Sequence, residues 1–128
     1  MPRYHEIVGC LHIHYPLSSP SSGMAFLARE ARRAGLDFLI TTSHTPKTAR
    51  SRDRHRRIFA EAGYHGGVLV ISGEEVDNET KESHALVLGF DDWLGRKGPF
   101  PAVFDRVERE GGMALIAHPD GRHQLFLV

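Results

Sequence analysis

The sequence predicts an α/β fold with a largely parallel sheet or barrel. Three observations lead there: strand-like runs alternate with helix-like segments, the strands are apolar throughout, and the helical segments are apolar on one face only. Residues 6–14 (EIVGCLHIH) form a short apolar run with the length of a buried strand, and Pro16 with the serines after it breaks that run. Residues 23–34 place Met24, Leu27, Ala28 and Ala31 on one helical face and arginines on the other, and Gly35 supplies a C-cap. Leu36 to Thr42 forms a second strand, and 52–62 a basic helix ended by Gly63. Gly66 to Ser72 is a third strand, nearly all apolar, as expected when both faces are covered. Residues 83–89 form a fourth, 101–110 an amphipathic helix through Val103, Phe104 and Val107, and 113–117 a fifth strand after Gly111-Gly112. Gln124 to Val128 is read either as the start of a sixth strand or as a tail.

With 128 residues, the chain has the size of one domain, 1–128. Five strands are too few for a complete eight-stranded barrel. Sixteen basic and sixteen acidic side chains cancel, which argues against a large nucleic-acid or anionic-membrane footprint. The single cysteine, Cys10, excludes an intrachain disulfide and fits a reducing cytoplasm. The N-terminal residues lack the apolar stretch of a signal peptide, and no apolar run approaches membrane-spanning length. A cytoplasmic protein without membrane contact is therefore expected.

Nine histidines are the unusual feature, and most fall at strand ends. The first strand ends in His12-Ile13-His14, whose alternation turns both imidazoles to one side. The second runs into Thr42-Ser43-His44, the third ends in Gly73-Glu74-Glu75, His84 opens the fourth, and the fifth closes with Ala117-His118-Pro119. In parallel α/β folds the C-terminal strand ends share one rim, so a common site explains the clustering better than independent core histidines. Histidine with carboxylate and no thiolate suits Zn, Mn or Fe, and a bridging carboxylate suits a metal pair that lowers the pKa of water and clamps a phosphoryl oxygen.

In this order, H-x-H, T-x-H, G-x-E, a histidine before L-x-L-G (His84-Ala85-Leu86-Val87-Leu88-Gly89) and A-H-P, the motifs resemble the polymerase and histidinol phosphatase (PHP) family. The resemblance covers nearly the whole chain. It implies a distorted (β/α)7 barrel, here partial or truncated and lacking the C-terminal part, and a metal-dependent phosphoesterase acting on phosphomonoesters or phosphodiesters. Carried over by motif, His12 and His14 bind a first metal, Glu75 bridges two, His84 and His118 hold the second, and His44 belongs to a third site. Glu75 and His44 are thereby assigned to the catalytic centre, with two divalent ions expected. The pattern departs at Ser43, where the family has aspartate, at Ser18 to Ser22, which offer no strong ligand, and in the missing C-terminal D-x-H. The alternative is a degenerate PHP domain that binds metal and serves as an accessory or interaction module, with association between copies covering an incomplete barrel edge.

The basic run Lys47 to Arg57 reads first as a solvated helix face, yet it follows the second strand above the rim. There Arg50 or Arg52 would grip the phosphate of a small ester substrate, with nucleic-acid contact ranked below it. Cys10 is read as a buried structural thiol, and His5, His55, His65 and His123 as surface or loop residues.

Overall fold

The structure, a computed structural model, describes residues 4–15, 23–78, 83–90, 93–94 and 98–118. Expectations that fall on 16–22 and 119–128, including His123 and the apolar run at 124–128, lie outside the described residues. Strands β1 (Gly9–Ile13), β2 (Phe38–His44), β3 (Gly63–His65), β4 (Val68–Asp77), β5 (His84–Leu88) and β6 (Met113–Ala117) form one sheet. Helices α1 (Met24–Arg33), α2 (Ala49–Ala60) and α3 (Phe100–Arg109) connect them.

The order β1-β2-β4-β5-β6, with β3 paired to β4, describes a mixed α/β sheet that curls into a half-barrel. β1, β2 and β4 are parallel, as expected, but β5 is antiparallel to both β4 and β6. The physical reason is the link between β4 and β5, residues 78–83, which is too short for a parallel crossover of about a dozen residues. Reversal of β5 has a consequence for the site: its start, His84, lies on the rim where the parallel strands end.

Parity along β4 separates the two faces of the sheet. Val68 and Val70 pack with Leu39 against Met24, Ala28 and Ala31 of α1 and Ile58 of α2. Val76, on the same face, packs with Val87, Leu94 and the α3 residues Val103 and Val107. Among the described residues, all three helices therefore cover one face, and Gly73, Glu75 and Asp77 point to the other, concave one.

Local signals account for the helix ends. Gly35 takes φ 78°, with Leu36 N–H donating to Ala31 carbonyl at 2.9 Å, the glycine cap expected after α1. α2 begins at Ala49, before the helix expected over 52–62, because Thr48 and Ser51 form a capping box. Arg50, outside the expected helix, and Arg52 both sit inside α2. None of the helices among the described residues is long and apolar enough to cross a membrane.

Candidate metal centre

Glu75 is the middle of the site. It lies two residues after Gly73 on the concave face of β4, with His44 beside it on β2 and Leu86 opposite on β5. The glycine is required by space: a Cβ at position 73 would stand 2.3 Å from Leu88 Cδ2 and 2.6 Å from the Val87 carbonyl oxygen. Only 1% of Glu75 is exposed, so its carboxylate is out of contact with water.

Five imidazoles face that carboxylate. His12 Nε2 and His14 Nε2 each lie 3.2 Å from Oε2, and His44 Nδ1 lies 3.4 Å from it. His84 Nδ1 is 2.9 Å and His118 Nε2 3.5 Å from Oε1. The rings form a closed circuit, His12–His14–His44–His84–His118, with successive centroids 5.2, 4.9, 5.3 and 6.0 Å apart and 4.8 Å from His118 back to His12. That last step bridges the two edge strands of the half-barrel.

Bringing those two histidines inward takes unusual backbone. His12 and His118 are the positive-φ non-glycine residues among those described, at 69° and 53°. Histidine tolerates this region better than most residues, and single residues held there cluster at functional sites. At His12 the β1–β2 register slips, Leu11 pairing Ile40 and Ile13 pairing Thr41. His12 is thus the extra residue of a bulge, a device that re-aims a side chain. The bulge breaks simple alternation along β1, and the Cys10 thiol is exposed rather than buried as expected.

The geometry fits a cation better than it fits hydrogen bonding. Among the described residues neither Glu75 oxygen accepts a hydrogen bond, although the ring nitrogens stand close by. A buried carboxylate left in that condition is costly. Donors held 2.0–2.1 Å from a tetrahedral ion stand about 3.3–3.4 Å apart, which is close to the spacing of these atoms. Three sets of donors lie mutually within 4.8 Å: His12, Glu75 and His118; His14, His44 and Glu75; and His44, Asp77 and His84. His/Glu/Asp groups placed this way can hold a metal ion. Burial holds the His14 imidazole below its ordinary value against the upward pull of Glu75, with His44, His12 and His118 adding to the lowering, and the neutral ring is the ligand form.

All of the predicted ligands, His12, His14, His44, Glu75, His84 and His118, are therefore brought together. Glu74 alternates to the helix-covered face, where its Oε2 accepts from Leu94 N–H at 2.6 Å. Arg50 and Arg52 are both exposed, and the Arg52 guanidinium carbon lies 5.6 Å from the Trp93 ring centroid. Asp77 escaped the sequence reading because the third strand was ended at Ser72, whereas β4 runs to Asp77. The missed signal was parity, since Gly73, Glu75 and Asp77 alternate along one strand face. His55, expected at the surface, is instead buried at 3% exposure on α2. Burial pushes its imidazole below the ordinary value, and neither ring nitrogen has a hydrogen-bond partner among the described residues. His5 is exposed and His65 partly so, as expected. Compared with known proteins, the chain matches no family model and no curated sequence.

Proposed function

We propose that this chain is a metal-dependent hydrolase of phosphate esters, of the PHP type that its motifs resemble. The observation that carries the reading is the closed ring of five imidazoles around one buried carboxylate that accepts no hydrogen bond. Zn, Mn or Fe suits a donor set of imidazole and carboxylate without thiolate. Divalent cations supply acidity to water at neutral pH and positive charge to the phosphoryl oxygens.

The chain's own residues do the rest. Glu75 and the histidines around it, His12, His14, His44, His84 and His118, would hold the cation. His44 and His118 are half exposed or more, so the ring opens to solvent on their side and substrate approaches there. Arg50 and Arg52, on the first turns of α2 just after β2, bring positive charge to that approach for a phosphate group.

A second reading, an accessory module that binds metal without turnover, is favoured by one feature. Leu11 on β1 and Met113 and Leu115 on β6 expose 54%, 59% and 38% of their surface along the two sheet edges, an arrangement suited to association.

The test is hydrolysis of an aryl phosphate by protein loaded with Mn or Zn, beside Glu75→Gln and His12→Asn, the asparagine being chosen because it tolerates positive φ. Turnover by the parent and a loss of roughly 100-fold or more in both variants is expected for removed ligands. Equal rates in parent and variants defeat the hydrolase reading, and metal binding without turnover supports the accessory module.

A further inference from the structure

We infer that Thr42 is a positioning residue of the metal centre, its hydroxyl accepting the Nδ1–H of His14 while Nε2 of that ring faces the cation. The inference rests on the metal reading above and adds a residue outside the contacts around Glu75. Thr42 is 0% exposed, and its Oγ1 has no hydrogen-bond partner among the described residues. A buried hydroxyl in that condition costs stability and calls for an explanation.

Parity puts the side chain on the concave face. Leu39 of β2 packs against α1, so Phe38, Ile40, Thr42 and His44 alternate to the other side. Below Thr42 is Ile40, and beside it on β4 is Gly73, so neither neighbour offers a polar side chain. The Thr42 atom nearest position 73 is the methyl Cγ2, 3.5 Å from where a Cβ there would stand. The hydroxyl is therefore turned away from β4, toward β1.

The residue across from it on β1 is His14. Ile13 pairs with Thr41, and Tyr15 N–H donates to Ser43 Oγ at 2.9 Å, which fixes His14 between them, opposite Thr42. Ser43 is committed to that backbone contact and alternates to the helix-covered face. His14 turns Nε2 to the centre, 3.2 Å from Glu75 Oε2 and 3.3 Å from His12 Nε2. A neutral imidazole has one lone pair and one N–H. With the Nε2 lone pair aimed at a cation, the proton sits on Nδ1, and a ligating histidine gives that N–H to an outer partner that fixes its tautomer and orientation. Thr42 Oγ1 supplies the acceptor from the facing strand. No hydrogen bond joins the two groups in this structure; a cation on Nε2 puts the proton on Nδ1 and makes the contact favourable.

The experiment is the zinc dissociation constant of the full chain, measured by competition with a chromophoric chelator, with circular dichroism confirming the fold. Thr42→Val keeps the shape and removes the hydroxyl, and should weaken binding roughly 10-fold or more. Thr42→Ser keeps the hydroxyl and should restore the parent value. In a His14→Ala background Thr42→Val should cost nothing further, since the ring it orients is gone. Melted in chelator, Thr42→Val should be at least as stable as the parent, because the hydroxyl it removes has no partner there. Should Thr42→Val fail to fold, Thr42→Ala removes the same hydroxyl. Parent-like affinity in Thr42→Val, no rescue by serine, or the same further loss without His14 overturns the role of Thr42 and leaves the metal reading standing. A parent that binds no zinc defeats that reading and this inference with it.

Discussion

Neutralising Glu75 should stabilise the metal-free protein and, at the same time, weaken its response to metal. The carboxylate is 1% exposed and accepts no hydrogen bond among the described residues, so the folded protein carries the desolvation of that group without the usual offset. Leaving a buried polar group unsatisfied costs about 1–3 kcal/mol, more when it is charged. Glu75→Gln keeps the shape, removes the charge and supplies an amide that can donate to a neighbouring imidazole nitrogen. In chelator at pH 7.5 the variant should melt higher than the parent, by about 4 °C for each kcal/mol in a domain of this size. Zinc reverses the order. A ligand at 100 times its dissociation constant stabilises the native state by about 2.7 kcal/mol, or about 11 °C, and the variant retains only the share due to any ion that does not need Glu75. Thermal melts by circular dichroism with and without zinc measure all four values. A variant that melts lower than the parent in chelator and gains as much from zinc would refute the reasoning, since Glu75 would then be an ordinary core residue.

Gly73→Ala should destabilise the fold by about 1–3 kcal/mol in urea titration, because its Cβ meets the Val87 carbonyl oxygen, a backbone atom with little room to shift. The pH dependence of stability should carry a contribution from His55. Burial holds its folded pKa below the ordinary 6.5, so the unfolded chain takes up the proton first and stability falls as pH drops through about 6.5. His55→Leu, which removes no hydrogen bond among the described residues, should abolish that part of the acid sensitivity in paired melts at pH 7.5 and 5.5.

Periodicity and composition located most of the elements. The helix expected over 23–34 is observed at Met24–Arg33, and the strand expected over 113–117 is β6 itself. Direction was harder to read, because an apolar run such as His84–Leu88 looks the same whichever way it points. The decisive clue was the length of the link before it, which excludes a parallel crossover. β3 was missed because three residues carry no usable period, and β4 was cut short where its face turns from apolar to acidic. His55 shows the opposite failure, a polar residue in a basic helix that packing nevertheless buries. At His55 tertiary contact overrides a local preference.

The site itself was legible for a reason that proves only partly right. Alternation in H-x-H was expected to turn His12 and His14 to one side, yet strict alternation does not hold in β1. The bulge at His12 keeps Ile13 on the helix-covered side, packed against the α1 core, while both histidines reach Glu75. His12 and His118 stand at the ends of the two edge strands, and both take a left-handed backbone that costs about 1–2 kcal/mol per residue. The apolar side chains Leu11, Met113 and Leu115 are exposed along these edges and do not repay this. A cation shared by His12, His118 and Glu75 would repay it, joining the first strand to the last across the open side of the half-barrel. Metal binding and closure of the rim are then one event, and the strain at the two histidines is the part of its cost that the sequence alone could not display.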